Sequence, residues 1–273
     1  MADERPLRVH CFAHAGAGVS SFADWNRDLG PGARTVPHLL PGRDARRREP
    51  RITEREALLA EMLGHFVQDG DAGPAPYLLY GHSLGALIAY TLTRALREAG
   101  LSAPALLVVG ACPPPDAALA LPDACRAPDE ELLRLLGGAG ALPGGAKPGG
   151  LWHRLVMPVL RDDLVLADAL RTAARVPSPA GPLDVPVLAV AGRGDALAPA
   201  GEVARWRHWT TGPFALRTVP GDHFFVRGRE LPRLIGRASR VVRRLPPVAA
   251  GRPAPGGATT APAQKPTDMK GSR

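Results

Sequence analysis

The sequence predicts an α/β fold: a mostly parallel central sheet flanked by helices, with a helical insertion late in the chain. Three observations carry this. Short apolar runs such as Tyr77 to Tyr80, Ala105 to Val109 and Val185 to Ala191 alternate with segments of helical period. Strands that are apolar on both faces belong to parallel sheets covered on both sides. Gly81-His82-Ser83-Leu84-Gly85 stands between one such run and a helix-period segment, as a strand-to-helix turn requires. Between about 113 and 182 no strand-like run occurs, and Pro and Gly crowd between helical pieces.

The elements follow in order. Leu7-Arg8-Val9-His10-Cys11-Phe12 alternates and reads as a first strand, running into the small-residue loop His14-Ala15-Gly16-Ala17-Gly18. A short helix is expected over 20–29. Thr35 to Leu39 is strand-like, and Leu40-Pro41-Gly42-Arg43 breaks it. Thr53 and Glu56 have capping-box spacing. The helix they open should reach about 68, burying Leu58, Leu59, Met62, Leu63 and Phe66. The strand at 77–82 leads through Ser83 into a helix that Gly100 stops. After the strand at 105–110, the insertion holds helical pieces at 128–136 and 151–174, joined through the Gly-rich Leu142 to Gly150. It reads as a lid over the core, since such segments often gate access to a site. The core resumes with Val185 to Ala191 and the turn Gly192-Arg193-Gly194-Asp195. A helix over 200–209, the strand Phe214 to Val219, the turn Pro220-Gly221-Asp222-His223 and a helix over 230–244 complete it. One domain over 1–246 is expected, with the aperiodic Pro/Gly/Ala/Thr-rich stretch 247–273 disordered.

Composition narrows the class. A hydrophobic fraction of 45% and 273 residues suit one α/β domain with a sizeable core. No run of 18 apolar residues is present and the N-terminus lacks an apolar signal core, so a cytoplasmic monomer away from any membrane is expected. Cys11, Cys112 and Cys125 are widely spaced and read as reduced, neither a disulfide frame nor a metal site, and no cofactor is expected. The net charge is +8, but its Arg clusters are short and lack interleaved aromatics, which argues against nucleic acid.

The chemistry centres on Ser83. A Gly-x-Ser-x-Gly is weak alone; its place between strand and helix makes Ser83 a candidate nucleophile. A serine hydroxyl needs a base. Of eight histidines, His10 and His38 lie in or beside strands and are expected to pack; His65, His153 and His208 fall in helices. His82 should point away from the turn if the strand alternates, and His14 lies near the site. His223 follows the last strand, in the loop position and chain order required of the base. Asp222 is its neighbour, and adjacent side chains diverge; Asp195, at the end of the preceding strand, is favoured as the orienting acid. Backbone N–H groups of Leu84 and of Ala15 or Gly16 are the expected oxyanion donors.

These residues resemble the type II thioesterases, the free-standing editing enzymes of polyketide and nonribosomal peptide biosynthesis. The likeness covers most of 7–240 and rests on Phe12-Ala13-His14-Ala15-Gly16-Ala17-Gly18, Leu40-Pro41-Gly42-Arg43 with Glu49-Pro50, and Gly81 to Ala86. Asp129-Glu130-Glu131-Leu132-Leu133, Leu160-Arg161-Asp162-Asp163-Leu164 and Pro220-Gly221-Asp222-His223-Phe224-Phe225 extend it. The resemblance implies an α/β-hydrolase fold with a helical lid. It also implies hydrolysis of acyl groups from the phosphopantetheine arm of an acyl or peptidyl carrier protein, clearing stalled or wrongly primed units. Carried over, Ser83 is nucleophile, Asp195 acid, His223 base, and Leu84 and Ala15 supply the oxyanion N–H groups. Gly110-Ala111-Cys112-Pro113-Pro114 departs from the family's usual small-polar-Arg pattern, which bears on acyl preference. A general carboxylesterase or lipase, a non-catalytic carrier-binding scaffold and a chain-terminating thioesterase domain are the competing readings. The first predicts indifference to a carrier, the second a lost triad member, the third fusion to a synthase.

Overall fold

The computed structural model describes residues 5–68, 75–118, 124–138, 140 and 149–244; the expected disordered tail and most of the Gly-rich linker lie outside the described residues. Six strands form one sheet: β1 (Leu7–Phe12), β2 (Ala33–Pro37), β3 (Tyr77–His82), β4 (Leu106–Gly110), β5 (Val187–Gly192) and β6 (Phe214–Val219). Their order is β2-β1-β3-β4-β5-β6 and every pair is parallel.

The helices are α1 (Trp25–Leu29), α2 (Arg55–Gln68), α3 (Leu84–Glu98), α4 (Asp129–Gly138), α5 (Leu151–Ala174), α6 (Ala200–Val203) and α7 (Glu230–Val242). Strand alternation divides the core into two layers. Tyr77, Leu79, Leu107, Val109, Val187 and Ala189 face α2, α3 and the second half of α5. Leu78, Tyr80, Leu106, Val108, Leu188 and Val190 face α1 and α7, meeting Trp25, Leu29, Leu231 and Ile235. Each fully buried Leu or Val contributes about 1.5–3 kcal/mol. This two-sided burial is why the strands read as unbroken apolar runs.

Two expected helices are wound differently. Over 20–29 the chain makes a 3₁₀ turn at Val19–Phe22, breaks at Asp24, and rewinds as α1, with Trp25 Nε1–H donating to the Val226 carbonyl at 3.1 Å. Over 200–209 only α6 is α-helical, and Ala204–Trp209 is 3₁₀. Residues three apart eclipse in a 3₁₀ helix. Trp206 and Trp209 therefore both reach Tyr90, with ring centroids at 5.3 and 5.6 Å.

Because all six strands are parallel, the loops after β1, β3, β5 and β6 gather on one edge. The chain reverses its direction of travel across the sheet between β1 and β3, the crevice where such sheets place their sites. Between β4 and β5 lie α4 and α5. Leu132 and Leu133 pack on Met157 and Leu160, with Ala15 of the β1 loop against them. Asp129 joins the two helices, accepting from Arg161 Nε at 2.9 Å and pairing with His153 Nε2 at 2.8 Å.

Candidate active site

The turn after β3 is held by close backbone contact. A Cβ at Gly81 would lie 1.9 Å from the Gly85 carbonyl oxygen, and one at Gly85 would lie 2.0 Å from that of Phe12. Only glycine lets β1, β3 and the start of α3 approach so closely. Ser83 between them has φ 54° and ψ −113°, a left-handed conformation that costs a non-glycine residue roughly 1–3 kcal/mol. Its N–H donates to the Gly110 carbonyl at 2.8 Å, and its carbonyl accepts from Ala86 N–H at 2.9 Å. The strained Ser83 is half-buried at the N-terminus of α3, and no hydrogen bond joins its hydroxyl to His223 among the described residues.

The structure brings His223 and Asp195 together. His223 Nδ1 lies 3.0 Å from each Asp195 carboxylate oxygen, and both residues are buried. Asp195 Oδ1 also accepts N–H groups of Leu197 and Ala198, each at 2.9 Å, which fixes the carboxylate. The two loops are pinned by Gly194 N–H to the Gly221 carbonyl and Arg193 N–H to the Val219 carbonyl, both 2.9 Å. With Nδ1 as donor to Asp195, Nε2 is the basic nitrogen of His223. Asp222, the rival acid, closes its own turn instead, accepting from Phe224 N–H at 2.8 Å.

His82 has a role that strand alternation did not anticipate. Its ring makes no bond to Ser83 but lies against His223, with centroids 5.8 Å apart. Its Nε2 is 2.7 Å from the His223 carbonyl, so Nε2 carries the hydrogen, and Nδ1 accepts the Tyr80 hydroxyl at 2.7 Å. Burial holds this imidazole neutral, well below the usual histidine range, and holds the Tyr80 phenol far above its own. His14 is edge-on to Phe224 at 4.9 Å, its pKa lowered to about 3 first by burial and then by Arg227 and His223. His10 and His38 pack as expected, nitrogen to nitrogen at 2.9 Å, with His10 lowered to about 2 by burial. His153 is held by Asp129 and His208 is exposed, whereas the side chain of His65 lies outside the described residues.

The two candidate backbone donors of the β1 loop, Ala15 and Gly16, differ in availability. Gly16 N–H is spent on Asp163 Oδ2 at 2.7 Å, whereas Ala15 and Leu84 N–H have no partner among the described residues. Asp163 also takes a two-pronged pair from Arg43, at 2.8 and 2.7 Å. Arg43 and Asp163 stand 120 residues apart, and nothing in their spacing announces the pairing. A groove of about 640 Å³ opens beside this loop, with Leu136, Trp152 and Leu160 from the inserted helices on one wall and His14, Ala15 and Phe224 on the other. Among the described residues no group of His, Cys, Asp and Glu is placed to hold a metal ion, and no helix is long and apolar enough to cross a membrane. Cys11, Cys112 and Cys125 are free thiols. One edge of the sheet thus carries a strained serine, a carboxylate-held imidazole and two backbone N–H groups without a partner among the described residues.

The family model for the thioesterase domain matches residues 7–241. The chain is 33% identical over 229 residues to thioesterase PikA5 of Streptomyces venezuelae, covering 82% of this chain and 77% of that one. It is 27% identical over 220 residues to the gramicidin S biosynthesis protein GrsT of Aneurinibacillus migulanus, covering 81% and 83%. Among solved structures it is similar to the RedJ thioesterase from the prodiginine biosynthetic pathway in Streptomyces coelicolor, with a TM-score of 0.76 and 32% identity over 87% of this chain and 94% of that one.

Proposed function

The chain belongs to the thioesterase family and has the α/β-hydrolase fold, and from that premise we propose that it frees acyl groups from the phosphopantetheine arm of carrier proteins in a polyketide or nonribosomal peptide synthase. The observation that carries the reading is the buried His223–Asp195 pair, held in loops at the same edge of the parallel sheet as the strained Ser83 turn. The Ser83 hydroxyl attacks the thioester carbonyl carbon while His223 Nε2 takes its proton. The new C–O bond leaves an oxyanion that accepts from Leu84 and Ala15 N–H. The C–S bond then breaks, the proton passes from His223 to the pantetheine sulfur, and the arm departs as a thiol. Water repeats the sequence on the acyl-serine and releases the acid. Asp195 holds the imidazole tautomer and stabilises its cation. The α4–α5 segment acts as a lid over the groove.

The thioesterase reading is supported by the likeness to RedJ and PikA5, and the type II, editing reading by the likeness at TM-score 0.70 and 26% identity to the type II thioesterase BorB from the borrelidin biosynthetic cluster. The test compares hydrolysis of a panel of acyl-carrier proteins with that of acyl-pantetheines and simple oxygen esters, with Ser83→Ala as control. Faster hydrolysis of the acyl-carrier proteins than of acyl-pantetheines or simple oxygen esters is expected. Equal rates on oxygen esters, indifferent to the carrier, would favour a general carboxylesterase.

A further inference from the structure

We propose that Arg43 and Asp163 are positioning residues that hold the loop after β1 so that Ala15 N–H faces the developing oxyanion, and that they tie formation of this donor to the seating of α5. The inference rests on the proposed Ser83 mechanism and adds to it the source of the second donor's geometry.

Asp163 lies in the middle of α5 and is almost wholly buried, at 1% exposure; Arg43 is buried at 8%. A buried carboxylate is costly unless its oxygens are satisfied. Here Oδ1 accepts Arg43 Nη2 at 2.7 Å, and Oδ2 accepts both Arg43 Nη1 at 2.8 Å and Gly16 N–H at 2.7 Å. Arg43 Nη1 reaches on to the Ala17 carbonyl at 3.1 Å. The ion pair therefore grips the β1 loop on both sides of Gly16, by its N–H and by the carbonyl one residue on. Gly16, at φ 77°, gives its N–H to Asp163 on the helix, and Ala15 N–H has no partner among the described residues. Apolar contact supports the grip: a Cβ at Gly16 would lie 3.3 Å from Val156 Cγ1 and 3.6 Å from Leu160 Cβ, and Ala15 packs on the α4–α5 cluster. If α5 leaves its seat, Asp163 leaves with it and the loop loses its anchor. The bidentate fork is specific to arginine, since a lysine has no matched pair of donors.

The test uses the full chain, with acyl-pantetheine as substrate and two pantetheine analogues as ligands. One is a trifluoromethyl ketone, whose serine adduct carries an oxyanion; the other is a thioether of equal length, which forms none. Asp163→Asn, Arg43→Lys and the double variant Arg43→Met/Asp163→Leu are compared with wild type and Ser83→Ala, each checked for folding by thermal melting. The double variant leaves no buried charge unpaired, so it tests the grip even where a single change unfolds the chain. Loss of a well-placed oxyanion donor lowers kcat by about 100- to 1000-fold. A folded variant should therefore show kcat down by about 10- to 100-fold, with KM within about threefold and the apparent pKa of the rate profile unmoved. Ketone affinity should fall in step with kcat, thioether affinity should hold within about threefold, and Arg43→Lys should lie between wild type and the double variant. Wild-type kcat in the folded double variant, or equal weakening of both analogues, overturns the proposal. If the wild type hydrolyses no thioester, or Ser83→Ala hydrolyses it as well as wild type, the underlying mechanism fails instead.

Discussion

At the residue scale, the site depends on a few polar atoms placed where water cannot satisfy them. Ser83→Ala should lower thioester hydrolysis by at least about 1000-fold while leaving the melting temperature within a few degrees, since the loss is chemical and not structural. Asp195→Asn should lower kcat by about 100- to 10,000-fold, because an amide cannot stabilise the imidazolium and favours the wrong tautomer. A steady-state rate near wild type in either variant would remove that residue from the mechanism. Buried histidines make stability depend on pH with a defined sign. Folded His14 and His10 have pKa values lowered from 6.5 to about 3 and about 2, chiefly by burial. Below about pH 6.5 the unfolded chain binds protons that the folded chain refuses. Stability is therefore lost as pH falls from about 7 towards 3. Urea midpoints should drop between pH 7.5 and 5, and His10→Gln should flatten that slope; a midpoint constant over this range contradicts the burial of neutral imidazole.

At the element scale, the strand–turn–helix around Ser83 is the tightest joint in the fold. Alanine at Gly81 or Gly85 would drive a Cβ to within 2.0 Å of a backbone oxygen, so either variant should fail to accumulate as soluble protein or melt far below wild type. The elements were legible wherever one physical cause dominated. β1, β3, β6 and the long α5 have the expected bounds because apolar patterning alone sets them. The 3₁₀ windings near Phe22 and Trp206 were not legible; the indole hydrogen bonds that fasten these segments, Trp25 to the Val226 carbonyl and Trp206 to the Cys112 carbonyl, join residues far apart in the chain. The same holds in the site. The placing of Asp195 against His223 follows from chain order and the parallel sheet. By contrast, the support of His223 by His82 and Tyr80, and the pairing of Arg43 with Asp163, join side chains across a packed interior, for which a single sequence has no local signal.

At the scale of the whole molecule, the parallel sheet collects four loops on one edge, and the α4–α5 segment closes one wall of the groove there. A chain of net charge +8 should attract an acidic carrier domain over a distance set by ionic strength. Raising salt from about 50 to 500 mM should thus lower kcat/KM for acyl-carrier substrates severalfold and leave that for acyl-pantetheine nearly unchanged; equal sensitivity of the two would argue against charge-guided docking. The central claim, that Ser83 takes an acyl group from a carrier-bound thioester, is tested most directly by rapid-quench hydrolysis of an acyl-carrier protein with wild type and Ser83→Ala side by side. The account predicts fast release of the acid by wild type and none above background by the variant. Release at the wild-type rate from Ser83→Ala would contradict it.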